Sequence, residues 1–182
     1  MIYVPQIAVS VAIERLLQIV QASETGITIL GSGAIIVLIA LSAFFSSSEI
    51  AMFSLSQHRV EAMVEEGVPR AETIDQLKSN PHRLLVTILV GNNIVNIAMS
   101  SIATALVSLY FDPGAAVLVS TFGITTLVLL FGESAPKSYA VENTESWALQ
   151  IAKPLKYSEY LLLPLVIVFD YFTRVINQVT GG

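Results

Sequence analysis

Oxygen-bearing side chains cluster near one end of three otherwise apolar stretches of the sequence. Polar groups are costly inside a lipid bilayer, and those found there usually serve a function. Hydroxyl, amide and carboxylate oxygens are the ligands that hard cations such as Mg²⁺ and Ca²⁺ prefer. The three clusters therefore predict a cation site. The first holds Ser42, Ser46, Ser47, Ser48 and Glu49, the second Asn92, Asn93, Asn96 and Ser100, and the third Glu133 followed by Pro136.

Helical spacing places the oxygens of each cluster on one face. Residues 42, 46 and 49 recur at i, i+4 and i+7, and residues 92, 96 and 100 are four apart. Pro136 has no amide hydrogen and cannot bond the carbonyl of Gly132 four residues earlier, so that oxygen becomes a further candidate ligand. The predicted ligands are Ser42, Ser46, Asn92, Gly132 and Glu133, with Asn93, Asn96, Ser100 and Pro136 as secondary candidates.

Several of these side chains also have a structural interpretation. Helical serines commonly bond the carbonyl one turn back, which favours a structural role for Ser47 and Ser48. The side chain of Asn93 or of Asn96, taken singly, would equally well form a hydrogen bond between two helices. Glu49 would lie near the headgroups, facing water or paired with Arg59. An acid in the apolar surroundings of Glu133 instead favours function.

The composition is that of an integral membrane protein. Hydrophobic residues make up 54%, charged residues only 13%, and the mean hydropathy is +0.72. Uncharged runs of 24, 28 and 20 residues each reach the length of about 20 that a spanning helix needs. We therefore predict an all-α protein with three spans, at about 27–53, 82–111 and 114–134. The absence of cysteine excludes thiolate metal sites, and the net charge of −5 argues against nucleic acid as a partner. We predict no enzymatic activity and no catalytic residues.

The basic residues predict the orientation in the membrane. Four of the nine lie between the first two spans, and Lys137, Lys153 and Lys156 follow the third span, so the positive-inside rule puts both segments in the cytoplasm. We expect a multi-pass protein of the plasma or inner membrane, with its N-terminus outside and its C-terminus inside. Ser42 and Asn92 then lie roughly 10 to 14 Å above the inner edge, at 1.5 Å per residue. The clusters can therefore meet at one depth.

Three further segments complete the predicted organisation. Residues 1–24 are amphipathic and predict a helix that lies at the membrane interface, ahead of a transmembrane domain at 25–182. Residues 55–80 predict a cytoplasmic hairpin of two short helices. Residues 155–179 predict a juxtamembrane helix. Its apolar run, YLLLPLVIVF, has only ten residues, which favours the interface over a fourth span.

Three motifs resemble the transmembrane domain of the CorC/CNNM family of magnesium transporters. They are LSAFFSSSEIAMFSLS at 41–56, NPHRLLVTILVGNNIVNIAMS at 80–100 and FGESAPKSYAVEN at 131–143, and the likeness covers roughly 27–179. The resemblance implies a homodimer of three-span protomers with a cytoplasmic hairpin and a juxtamembrane belt helix. It also implies Mg²⁺ movement, as export coupled to Na⁺ entry.

Carried over by motif, the family's ion ligands fall on Ser42, Ser46, Asn92, Gly132 and Glu133. Ser47 departs from the pattern, since the family usually has glycine there. Family members also usually continue into cytoplasmic CBS domains, which this sequence lacks. Two alternatives stay open. One is a Mg²⁺-sensing membrane anchor for cytoplasmic regulatory domains, and the other is a different antiporter with Glu133 as the proton carrier.

Overall fold

The structure is a computed structural model that describes the backbone of residues 4–180 and the side chains of residue 15 and residues 23–169. It is helical throughout this part, with no strands, as predicted. The helices are α1 (Val4–Ser54), α2 (Gln57–Glu65), α3 (Ala71–Lys78), α4 (Pro81–Val107), α5 (Pro113–Leu127), a π-helical segment (Val128–Ser134), α6 (Ala135–Glu142) and α7 (Thr144–Thr180).

Three helical runs of the described chain are long and apolar enough to span a membrane. They cover Ser23–Ser54, Pro81–Val107 and Pro113–Glu142, which confirms the predicted three-span architecture. The third run extends eight residues beyond its predicted end at 134. It continues because the π-helical segment joins α5 to α6 without an interruption, and Pro136 in the first turn of α6 leaves a carbonyl one turn back without a donor rather than ending the helix.

The N-terminal part of the chain differs from the prediction of a separate helix at 1–24. The backbone of α1 is continuous from Val4 to Ser54, so no helix end separates that segment from the first span. Three glycines lie between residues 26 and 33, but none has the positive φ that ends a helix, unlike Gly67 with φ 69°. The interfacial position of the N-terminal residues stays a prediction, and residues 1–3 lie outside the described part.

The hairpin between the first two spans forms its two short helices, α2 and α3, within the predicted range 55–80. Ser56 caps α2, since its hydroxyl accepts a hydrogen bond from the Arg59 amide at 3.3 Å. Gly67 then turns the chain in the left-handed region. The hairpin helices bury Val60, Met63, Ile74 and Leu77, which belong to the same apolar core as the spans.

The last helix, α7, begins at Thr144 rather than at the predicted residue 155. Ala148, Ile151, Ala152 and Leu155 recur at helical spacing and are buried, and packing of this stripe explains the longer helix. Pro154 and Pro164 lie inside it. Among the described residues α7 is not one of the three candidate spans, and its placement at the interface stays a prediction.

Candidate cation site between three helices

Ser42 lies at the junction of α1 and α4. Its side chain is fully buried, and its hydroxyl is 3.1 Å from Asn92 Oδ1 and 3.0 Å from Asn96 Oδ1. A serine hydroxyl has one hydrogen, so two amide oxygens share a single donor. Oxygen atoms that converge in this way, with too few hydrogens between them, form an arrangement that a cation can satisfy better than the hydroxyl does. The structure thus brings together the predicted residues of two helices, and adds Asn96 on equal terms.

The backbone of the third helix closes on the same serine at Gly132. A Cβ atom built at residue 132 would lie 2.9 Å from Ser42 Oγ and 3.2 Å from Ser42 Cβ. Only glycine allows this approach without displacement. Gly91 does the same for α1 and α4, since a Cβ there would lie 2.5 Å from the Phe45 ring. The two glycines therefore let three helices meet at one point.

The π-helical segment changes which backbone oxygen Pro136 leaves without a donor. The Ala135 amide bonds the Leu130 carbonyl, five residues back rather than four. In that register the partner of the Phe131 carbonyl would be Pro136, and in the α-helical register the partner of Gly132 would be Pro136 as well. Proline can donate to neither. Wide π turns of this kind are frequent at functional sites. The sequence signal for this feature was Pro136, and spacing gave no sign of the wider turn.

Ser46 lies one turn from Ser42 on the same face of α1. Its side chain is 1% exposed, and its hydroxyl has no hydrogen-bond partner within the described residues. A buried hydroxyl left without a partner costs about 1–3 kcal/mol. The neighbouring serines differ, because Ser47 donates to the Ala43 carbonyl at 2.7 Å and Ser48 to the Phe44 carbonyl at 2.6 Å. Their structural interpretation is confirmed, whereas Ser46 is left available to a ligand.

Glu133 is half-buried beside the face of α4 that carries Asn96 and Ser100. These three residues line a cavity of about 250 Å³ between α4, α5 and the π-helical segment. Asn93 instead lines a different groove, between α4 and α7, so the structure does not bring it to the junction. Ser100 reaches the cavity but has no contact with Ser42 among the hydrogen bonds described.

The other acid near the site is neutralised by a lysine. Glu49 pairs with Lys137 across α1 and α6 at 3.2 Å, and the alternative pairing with Arg59 is wrong. Within the part of the chain whose side chains are described, no three His, Cys, Asp or Glu residues form a group that could hold a metal. A cation at the junction would therefore depend mainly on neutral oxygens and on Glu133. Such a site binds less tightly than a cage of several carboxylates.

Ion pairs fix the helix ends on the hairpin side of the site. Arg59 contacts both carboxylate oxygens of Glu145, at 2.8 and 2.9 Å, and these hydrogen bonds hold the pKa of Glu145 below its usual range. Arg83, in the first turn of α4, pairs at 2.7 Å with Glu159 of α7, which is only 6% exposed. Lys156 completes that cluster at 2.9 Å from Glu159. The helix that carries Asn92 is thereby anchored nine residues before it.

Comparison with known proteins gives a match over most of the chain. The family model described as the cyclin M transmembrane N-terminal domain, CNNM, matches residues 33–182. The UPF0053 inner membrane protein YfjD of Escherichia coli is 34% identical over 142 residues, which cover 78% of this chain and 33% of that protein. A DUF21 domain-containing chloroplastic protein of Arabidopsis thaliana, At1g55930, is 33% identical over 145 residues, covering 80% of this chain and 22% of that protein.

A third relative has a name that includes a substrate. The polyamine export protein of Escherichia coli is 26% identical over 157 residues, which cover 80% of this chain and 35% of that protein. The chain thus spans about a third or less of the length of these relatives.

Proposed function

Because the chain belongs to the CNNM transmembrane domain family, we propose that it is a membrane transporter of Mg²⁺. The ion would lie between α1, α4 and the π-helical segment, held by Ser42, Ser46, Asn92, Gly132 and Glu133. The observation that carries the proposal is the meeting of buried oxygens at Ser42, with the unpartnered Ser46 hydroxyl one turn away. Asn96 would add a sixth oxygen, and six is the number that Mg²⁺ requires.

The close helix packing supports a small ion. Mg²⁺ takes ligands at about 2.0–2.1 Å with near-octahedral geometry, whereas Ca²⁺ takes six to eight at roughly 2.3–2.6 Å. The backbone at Gly132 and the ring of Phe45 against Gly91 leave no room for even a methyl group. A site that is closed this tightly would favour Mg²⁺ over Ca²⁺. Mg²⁺ releases water reluctantly, so five or six protein oxygens are needed to offset the dehydration.

The chemistry at the junction favours a metal ion over a polyamine as cargo. A polyamine is a long cation with several separated ammonium groups, each of which needs an acceptor and, for tight binding, a carboxylate. Among the described residues at the junction, Glu133 is the one carboxylate without an ion pair to a lysine or arginine. Competition by spermidine in the binding assay below separates the two cargoes.

We further propose, from the resemblance, that the protein is a homodimer in the cell membrane and exports Mg²⁺ as Na⁺ enters. The basic residues of the hairpin and of the segment after the third span support a cytoplasmic placement for both, with the N-terminus outside. The second candidate is a Mg²⁺-sensing anchor that does not transport. The contacts of α7 with the hairpin and with α4 favour it, because such contacts would carry a signal.

Two variants test whether the Ser46 hydroxyl is a ligand. Thr87 is the matched control, since its hydroxyl is also buried and unpartnered, but it lies five residues before Asn92 and points roughly 140° away around α4. Without Mg²⁺, Ser46→Ala and Thr87→Val should both raise the melting temperature of the purified chain, since each removes a desolvated hydroxyl. Calorimetric titration should show weaker Mg²⁺ binding for Ser46→Ala alone. Equal Mg²⁺ affinity in Ser46→Ala and wild type would remove Ser46 from the site.

Flux measurements separate a transporter from an anchor. Proteoliposomes loaded with Mg²⁺ should release it when a Na⁺ gradient is imposed, and Glu133→Gln should abolish release. Wild-type protein that binds Mg²⁺ without releasing it would favour the anchor. Flux that survives Glu133→Gln would place the transport path elsewhere, and flux driven by a pH gradient instead of Na⁺ would favour the proton-carrier alternative.

A further inference from the structure

We propose that the ion pair between Glu49 and Lys137 is a gate on the hairpin side of the candidate cation site. The gate opens when a passing cation draws the Glu49 carboxylate away from the Lys137 ammonium. Glu49 Oε2 and Lys137 Nζ are 3.2 Å apart, across α1 and α6. This inference rests on the proposed function. It gives the two residues control of access to the site, and not a place among its ligands.

Two contacts define how α1 and the third helical run lie against each other. At Ser42 the backbone of Gly132 closes on α1, where a Cβ atom would lie 2.9 Å from Ser42 Oγ. Glu49 follows Ser42 by seven residues and Lys137 follows Gly132 by five, so the two helices run in the same direction. At about 1.5 Å per residue, the ion pair lies roughly 7 to 11 Å from the junction, toward the hairpin.

The ion pair lies on the same face of α1 as the candidate ligands. Residues 42, 46 and 49 recur at helical spacing, and the unpartnered Ser46 hydroxyl lies between the junction and Glu49. On the third helical run, Glu133 precedes Lys137 by one turn. A cation that moves from the junction toward the hairpin along this face therefore meets the Ser46 hydroxyl and then the ion pair.

Apolar packing surrounds the junction in two other directions. Away from the hairpin, Met99 of α4 is fully buried in the core. Toward α4, the Phe45 ring packs so closely on Gly91 that a Cβ atom there would lie 2.5 Å from it. The side chains of Glu49 and Lys137 are instead 33% and 37% exposed. An ion crosses a seam of charged, partly hydrated groups more easily than an apolar core, so the seam between α1 and α6 is the favoured path.

The partial exposure of the pair suits a gate. A fully buried ion pair is costly to break, whereas a pair that reaches water contributes little to stability and can open often. The Lys137 ammonium is a point charge on a long flexible stem, so it can move into water when a cation approaches Glu49. Mg²⁺ also takes carboxylate oxygens as ligands, so the ion and the ammonium compete for the same group. Once the cation has passed to Ser46, the ammonium returns to Glu49 and closes the seam.

The first test removes the pair without changing the net charge near the site. Stopped-flow mixing with a Mg²⁺-sensitive dye measures association, and mixing with a chelator measures dissociation. Loss of an exposed ion pair shifts an open–closed equilibrium by about two- to fivefold, so both rates should rise by that factor in Glu49→Gln with Lys137→Met. The Kd should stay within twofold of wild type. The control, Arg59→Met with Glu145→Gln, removes a pair of similar exposure, 41% and 44%, away from the seam and should leave both rates unchanged.

The second test closes the gate reversibly. The sequence contains no cysteine, so Glu49→Cys with Lys137→Cys gives the chain two thiols only. A short bis-methanethiosulfonate reagent bridges the two thiols through disulfide bonds, and dithiothreitol removes the bridge. We expect the bridge to abolish nearly all Mg²⁺ exchange in the purified chain and the reductant to restore it. The same bridge in Arg59→Cys with Glu145→Cys should have no effect.

Three results would overturn the inference. Mg²⁺ exchange that stays fast across the bridged seam would place the ion path elsewhere. A Kd changed more than twofold in Glu49→Gln with Lys137→Met, at an unchanged association rate, would make the pair part of the binding site. Equal slowing by the control bridge would reduce the effect to general rigidity. The titration keeps the two proposals distinguishable. Wild type that binds no Mg²⁺ refutes the proposed function and the gate with it, whereas Mg²⁺ binding with rates insensitive to the pair refutes the gate alone.

Discussion

Substitution of Gly132 by alanine should weaken Mg²⁺ binding without harming the helix. Ordinary contacts begin at 3.4 Å, so a methyl group 2.9 Å from Ser42 Oγ is 0.5 Å too close. The hydroxyl could rotate away only by giving up its contacts with Asn92 and Asn96. The methyl would also lie 3.2 Å from Ser42 Cβ, which rotation cannot move. The helices must therefore separate, or the serine must leave its place.

Either response destabilises the ion-bound state more than the empty state. Metal–ligand distances tolerate about 0.2 Å, less than the displacement that the methyl requires. Overpacking typically costs about 1–3 kcal/mol, and if the empty site relaxes while the occupied site cannot, the Kd for Mg²⁺ rises roughly 5- to 150-fold. Alanine is favoured over glycine in a helix by about 1 kcal/mol, so the substitution itself stabilises the helical backbone.

Gly123→Ala is the control for this experiment. It lies in the same helical run, and a Cβ there meets nothing within 4 Å. Isothermal titration of both purified variants with Mg²⁺ gives the affinities, and melting curves without Mg²⁺ verify that both are folded. If Gly132→Ala binds Mg²⁺ within twofold of Gly123→Ala, the Gly132 backbone is not part of the site and the reasoning from its contact with Ser42 fails.

Three more substitutions test the packing and the charge pairs around the site. Gly91→Ala should lower the melting temperature, because its Cβ would lie 2.5 Å from the buried Phe45 ring and overpacking costs about 1–3 kcal/mol; an unchanged melting curve would contradict the close packing. Glu159→Gln should destabilise the chain by about 2–3 kcal/mol, somewhat below the cost of breaking a fully buried pair, because Arg83 is partly exposed; denaturant titration measures this. Glu145 has a lowered pKa in the folded state, so its contribution to stability is complete above the unfolded pKa of about 4.3 and is lost as the pH falls below it. Melting curves across that range should show the loss in wild type and not in Glu145→Gln.

The sequence was sufficient for the membrane class, the number of spans and the common level of Ser42 and Asn92 along their two helices. These features depend on the cost of polar groups in lipid and on helical spacing, which are both local properties of the chain. The roles of Ser47 and Ser48 followed from the same local reasoning, since a helical serine bonds the carbonyl one turn back.

Features that depend on contacts between distant residues could not be predicted in this way. The π-helical segment is a shift of one residue in hydrogen bonding, and it lies where Gly132 packs on Ser42, ninety residues away in sequence. The Glu49–Lys137 pair and the early start of α7 likewise depend on which helices become neighbours. The grouping of Thr121 and Thr125 with Glu133 along one groove likewise depends on α5 lying beside α4.

Two ion pairs connect α7 to two other parts of the fold. It is attached at Glu145 to the hairpin and at Glu159 to the first turn of α4, and the two attachment points are roughly 21 Å apart along its axis at 1.5 Å per residue. A displacement of the later turns of α7 would either break one of the two ion pairs or move Arg83. In the second case α4 would move with it, and so would Asn92. Through these two pairs, α7 is connected to the helix that carries Asn92 of the candidate site.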